Sequence, residues 1–245
     1  MSLIRIAAIS LATVDGMVRE NYARALRLGR IALAAAPDII LYPETFAAGY
    51  CGTDLTPVCE HPDSAYQRRF LELSRDGQCM VVGGYLEKTA AQPRNVAAIY
   101  DCGRRVGVHT KASMWPDDAR PYRDERALLT SGYGIEVFPT RFGKLAVLIC
   151  YENMLPENWD TIAGNADFVL SPYNCEGDPA QHNQREAARL RLPSAWADRT
   201  GTVYAGGDVY RPNPGTAGII CPHTQRQWKS DPGVETIVVG ELRVP

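Results

Sequence analysis

Three stretches of this chain share one layout: an apolar run that ends in a side chain able to move a proton, carry a charge or attack a carbon. Ile39-Ile40-Leu41-Tyr42-Pro43 delivers Glu44, Val106-Gly107-Val108-His109-Thr110 delivers Lys111, and Leu145-Ala146-Val147-Leu148-Ile149 delivers Cys150. Ligands and catalytic groups of α/β sheets gather beyond the carboxyl ends of the strands. A carboxylate, an ammonium and a thiol brought together there can work as a unit. The carboxylate takes the thiol proton, the sulfur attacks, and the ammonium stabilises thiolate and oxyanion charge. Each residue alone has an ordinary alternative: a packed core cysteine, a surface carboxylate, a solvated lysine.

The elements that must position these groups are read from periodicity. Strands are expected at 3–9, 38–42, 79–86, 167–171, 202–205, 217–221 and 234–242. Hairpins are expected from 95–100 with 105–109 and from 135–138 with 144–150. Helices are expected over 17–36, stopping before Pro37, over 63–76, over 156–164, and over 181–199 with an irregularity at Pro193. Strands that alternate with helices give an α/β protein, and the hairpins make its sheet mixed. With no internal repeat, low-complexity tract or linker, one domain over residues 1–245 is the economical reading. The stretch 112–134 has weak periodicity and is long for a connector, which marks it as functional or disordered.

Order and local sequence join the three reactive side chains. Tyr42-Pro43-Glu44-Thr45-Phe46 with Gly49-Tyr50, Lys111 after a strand, and Gly143 through Ile149-Cys150-Tyr151-Glu152 with Pro156-Glu157 resemble the three motifs of the nitrilase, or carbon–nitrogen hydrolase, superfamily. The resemblance covers nearly the whole chain. It implies a four-layer αββα sandwich with two mixed β-sheets and a Glu-Lys-Cys triad. Glu44 is then the general base, Lys111 the oxyanion stabiliser and Cys150 the nucleophile. Glu125, in Glu125-Arg126-Ala127-Leu128-Leu129-Thr130-Ser131-Gly132 and 25 positions before Cys150, resembles the second active-site glutamate that holds the lysine. The resemblance further implies Tyr151 as a second oxyanion donor through its backbone N–H, and Asn174 as a pocket residue. Trp115 and Tyr122 are pocket aromatics or loop anchors. The segment Lys111-Ala112-Ser113-Met114-Trp115-Pro116 departs from the family's usual x-H-L after the lysine, on the substrate side.

The implied reaction is hydrolysis of a non-peptide C–N bond in a small amide or N-carbamoyl compound through a Cys150 thioester. Tyr151 and Asn153 also hint at the nitrilase C-W-E-N-x-x-P pattern, so nitrile hydrolysis is the alternative substrate class. A non-catalytic member that binds a metabolite or partner through the same pocket is the alternative of a different kind. Ile149-Cys150-Tyr151-Glu152 also resembles the lipoprotein N-acyltransferases, which carry membrane helices.

Composition bounds the partners. A balance of 26 Lys+Arg against 28 Asp+Glu provides no basic surface for nucleic acid. No apolar run approaches the roughly 18 residues that span a bilayer, and the N-terminus lacks the features of a signal peptide. Seven cysteines, an odd number without a C-x-x-C pair, argue against a disulfide framework and for a cytoplasmic location. Four isolated histidines support no metal site, and neither a nucleotide-binding glycine motif nor a G-x-S-x-G elbow occurs. No cofactor is expected. By resemblance, the protein is expected to be a homodimer or higher homo-oligomer.

Overall fold

The computed structural model describes residues 2–50, 53–118, 124–205 and 208–244, with side chains at all of these except 202–205 and 208–213. Tyr122 therefore lies outside the described residues. The strands are β1 (Ser2–Val14), β2 (Ile39–Leu41), β3 (Met80–Glu87), β4 (Arg94–Asp101), β5 (Arg104–Thr110), β6 (Val137–Thr140), β7 (Gly143–Val147), β8 (Phe168–Tyr173), β9 (Ser194–Ala205), β10 (Asp208–Pro214), β11 (Ala217–Cys221), β12 (Arg226–Lys229) and β13 (Thr236–Val244). The helices are α1 (Val18–Ala32), α2 (Ala65–Gly77), α3 (Glu125–Leu128), α4 (Pro156–Ile162) and α5 (Ala180–Leu190).

The sheet is mixed. β1, β2 and β3 run parallel, and β3–β4–β5 continue antiparallel as the expected hairpin. β7, β8 and β9 also run parallel, with β6 antiparallel at their edge. The sequence reading expects two sheets, whereas hydrogen bonds join the strands in one path, β5-β4-β3-β2-β1-β9-β8-β7-β6. The joint is Leu11–Val14 of β1, which pairs in parallel with Arg199–Thr202 of β9.

Side chains alternate along the strands, as a pleated strand requires. Ile39 and Leu41 face a central cluster that also holds Leu145, Val147, Phe168 and Leu170. Ile40 faces the opposite way, onto Tyr22, Ala25, Leu28, Phe70 and Leu73 of α1 and α2. On the other side, Ala146 and Leu148 pack against Trp159 and Ile162 of α4. The stripe Tyr22, Ala25, Leu28, Gly29, Ala32 is the buried face of α1. Ser64 caps α2 by accepting from the Gln67 N–H.

One expected element differs. Residues 181–199 are not a single helix. α5 ends at Leu190, Arg191 takes a left-handed cap conformation, and 194–199 belong to β9. Pro193 has no N–H to continue the helix, and the small residues Ala195 and Ala197 beside Trp196 suit a strand buried on both faces. Two strands went unread, β10 and β12. Among the described residues no helix is long and apolar enough to cross a membrane.

Candidate active site

Glu44 is placed by the end of β2. Tyr42 still donates to the Val82 carbonyl, and Pro43 then removes the next donor. The Glu44 N–H crosses to the Tyr173 carbonyl of β8 at 3.2 Å, and Gly84 of β3 donates to the Pro43 carbonyl. Gly84 has to be glycine: a Cβ there would come within 2.7 Å of the Glu44 Cα. Thr45, next in line, has φ +37°, a strained conformation of the kind that gathers at functional sites.

Lys111 follows β5, its N–H on the Asn95 carbonyl. Its ammonium is buried between two carboxylates, 2.8 Å from Glu44 Oε1 and 2.7 Å from Glu125 Oε1. Glu125 opens α3, and its Oε2 accepts from the Trp115 N–H at 2.7 Å while its own N–H donates to the Trp115 carbonyl. Gly132 N–H bonds the Lys111 carbonyl, and a Cβ at Gly132 would lie 2.2 Å from the Thr110 carbonyl oxygen.

Cys150 does not end a strand as expected. β7 stops at Val147, and Cys150 opens a 3-10 turn, Cys150–Met154, with φ +47°. A non-glycine residue in the left-handed region is uncommon, and here it puts the sulfur on the wall of the cavity. Glu152, fully buried, holds that turn: its carboxylate accepts from the Ile149 and Ala112 N–H groups, both at 2.6 Å, and lies 2.9 Å from His109 Nε2. One carboxylate thus ties the turn bearing Cys150 to the chain just after Lys111.

Glu44, Lys111, Glu125, Cys150, Trp115 and Asn174 all line one cavity of about 190 Å³. Tyr151 does not line it; its ring packs edge-on against Trp115, with centroids 5.1 Å apart. Tyr50 and Asn95 were missed as site residues. The Tyr50 hydroxyl makes a short bond to Glu125 Oε1 and lies 3.4 Å from Glu44 Oε1, and Asn95 Nδ2 donates to Glu44 Oε1 at 2.6 Å and to Tyr50 at 2.9 Å. The signal for Tyr50 was its place in the first motif; Asn95, inside a strand, carried none.

Burial sets the electrostatics. It pushes Glu44 above the usual carboxylate range; Lys111 pulls it down and Glu125 pushes it up, with a net upward shift. Burial alone would lower Lys111, but the two carboxylates hold it charged and its pKa rises. The hydrogen bond from Cys175 pulls the Cys150 thiol down, while burial and Glu44 push it up and prevail. Glu44 Oε1 is saturated by Lys111 and Asn95, whereas Glu44 Oε2 and Trp115 Nε1 are buried without a hydrogen-bond partner among the described residues. Also among the described residues, no group of three His, Cys, Asp or Glu side chains is arranged for a metal ion.

The sequence matches the family profile described as carbon-nitrogen hydrolase over residues 5–238. The chain belongs to the carbon-nitrogen hydrolase family. Within this family, an (R)-stereoselective amidase from a Pseudomonas species is 26% identical over 220 residues, covering 84% of this chain and 76% of the relative. An N-carbamoylputrescine amidase from Arabidopsis thaliana is 29% identical over 149 residues, which span 57% of this chain and only 48% of that enzyme. A solved carbon-nitrogen hydrolase from Helicobacter pylori has the same fold, with TM-score 0.84 at 18% identity, covering 98% of this chain and 89% of the other.

Proposed function

We propose that this carbon-nitrogen hydrolase cleaves a small amide or N-carbamoyl compound, with Glu44, Lys111 and Cys150 as its triad. One observation carries the reading: Glu44, on the cavity that holds Cys150, has an Oε2 with no hydrogen-bond partner among the described residues, while Lys111 and Asn95 occupy its Oε1. Glu44 Oε2 takes the Cys150 proton as the sulfur attacks the carbonyl carbon. The oxyanion is stabilised by the Lys111 ammonium and the Tyr151 backbone N–H. The tetrahedral adduct collapses as Glu44 gives its proton to the leaving nitrogen, and a thioester remains. Water then attacks the thioester and loses a proton to Glu44. The acid leaves, and the proton returns to sulfur. Glu125 keeps Lys111 charged and holds Trp115 beside the substrate.

The lining favours a neutral or cationic substrate. Among the described residues, the carboxylates Glu44 and Glu125 outnumber the single ammonium of Lys111 between them, so an anionic substrate meets net repulsion. The small cavity suits a compact molecule. We infer also that the strand path folds so that its two wings face each other in an αββα stack within one catalytic domain. The three separate clusters support this, with α1 and α2 outside one wing and α4 outside the other.

The test is ammonia release across a panel of amides, carbamoyl compounds and nitriles. Cys150→Ala should reduce turnover of whichever substrate the wild type cleaves by about 10⁴-fold or more. Retained turnover would overturn the scheme, and nitriles as the sole substrates would overturn the substrate class.

A further inference from the structure

The cavity holds a second thiol that the hydrolytic scheme leaves unused. Cys175 lines the same wall as Cys150, and both belong to the central cluster. The two thiols stand close enough to perturb one another, Cys175 favouring the Cys150 thiolate and Cys150 disfavouring that of Cys175. They sit on different elements, Cys150 on the turn after β7 and Cys175 just past β8. These strands are parallel neighbours, paired at Val147 and Leu170. Both cysteines therefore stand beyond the carboxyl ends of neighbouring parallel strands, on one wall of the same cavity. Asp198 of β9 steadies Cys175, accepting from its N–H at 3.3 Å, with Oδ2 3.6 Å from its sulfur.

We propose that Cys150 and Cys175 form a reversible disulfide under peroxide, which withdraws the nucleophile and shields it from irreversible oxidation. In the first step the Cys150 sulfur attacks one oxygen of the peroxide. An S–O bond forms, the O–O bond breaks, and for hydrogen peroxide one water leaves. In the second step the Cys175 sulfur attacks the sulfenic sulfur. An S–S bond forms, the S–O bond breaks, and the departing hydroxide leaves as water with the Cys175 proton. Two thiols are oxidised by two electrons and one peroxide is reduced to two waters. The cavity admits a molecule of peroxide size, and Glu44 is placed to receive the Cys150 proton as it receives it in hydrolysis. A thiol already beside the nucleophile on the cavity wall captures the sulfenic acid before a second peroxide reaches it. Dithiothreitol reverses the link by exchange.

The experiment treats the purified full chain with a small excess of hydrogen peroxide and reads intact mass, peptide linkage and activity. The expected product is lighter by about 2 Da. Because Cys79 lies next to Cys102 in space and offers a competing pair, location matters. Both active-site cysteines fall on one tryptic peptide, so cleavage after glutamate is used; it should yield segments 137–152 and 158–176 joined under non-reducing conditions. Ammonia release should fall to below about a tenth and return to above about nine-tenths with dithiothreitol. In Cys175→Ala, peroxide should instead drive Cys150 to a sulfinic acid, heavier by about 32 Da, which dithiothreitol does not reverse. If that variant fails to fold, the wild-type peptide map decides alone. Unlinked segments, a link elsewhere, or an oxidised Cys150 without a partner in the wild type overturns the proposal. The linkage is read without any substrate. Joined segments in a protein that releases no ammonia would sink the hydrolase reading and leave the disulfide standing.

Discussion

At the scale of single residues, the site is a contest over the charge on Glu44. Burial and the Glu125 carboxylate push its pKa up, while Lys111 and the Asn95 amide pull it down. As the proposed general base, Glu44 must be ionised, so its protonation would set the acid limb of kcat/KM. That limb should lie above the ordinary carboxylate value of about 4.3. Two substitutions should move it in opposite directions. Glu125→Gln removes a repelling charge and leaves Lys111 to Glu44 alone, so the limb shifts to lower pH. Asn95→Ala removes a donor to the ionised form, so the limb shifts to higher pH. Each shift should be up to about one pH unit, with kcat/KM reduced about 10- to 100-fold in Asn95→Ala, as for a hydrogen bond to a charged group. Full pH profiles of both variants check this. Two limbs that stay together while activity falls would mean that neither residue acts through the charge of Glu44.

At the scale of elements, the proposed triad depends on how strand ends are tied to the loops beyond them. Glycine at position 132 lets the chain after α3 lie against the end of β5, its N–H on the Lys111 carbonyl. Gly132→Ala puts a methyl group into the Thr110 carbonyl, so the loop must move or that bond must break. The expected cost is about 2–3 kcal/mol of stability, read from urea midpoints, with a loss of kcat because Lys111 shifts with the strand end. A variant with wild-type midpoint and kcat would show that the loop adjusts freely. The same scale explains what the sequence allowed to be read. Apolar runs bounded by Pro and Gly marked β2, β3, β8 and the β4–β5 hairpin, and the residue after each strand was legible because the motifs fix its type. Residues 194–199 were misread because Ala195-Trp196-Ala197 has no period that separates a buried strand from a helix. The left-handed turn at Cys150 was invisible, since no glycine or asparagine announces it. Asn95 was invisible for another reason: its role arises only when β4 lies beside β3 and brings its amide to Glu44.

At the scale of the whole molecule, the buried tyrosines connect packing to pH. Tyr22, Tyr42, Tyr50, Tyr85, Tyr100 and Tyr173 are each less than a tenth exposed. Burial, as the leading cause, pushes every one of their hydroxyls above the ordinary tyrosine value. They span the central and outer clusters and the cavity, so no single element can open to ionise them all. In the unfolded chain these groups lose their protons near pH 10, while the folded protein still holds them. Above that pH the unfolded state therefore binds fewer protons, and stability falls as pH rises. Each tyrosine contributes roughly 1.4 kcal/mol per pH unit to the slope. Against a total stability of about 5–15 kcal/mol, six such groups bring global unfolding within about one to two units above pH 10. The buried set should ionise only together with loss of far-ultraviolet circular dichroism, in one steep transition. Tyrosinate absorbance recorded beside circular dichroism from neutral to strongly alkaline pH checks this. Gradual ionisation of all the tyrosines with unchanged dichroism would mean that the clusters holding them open independently of one another.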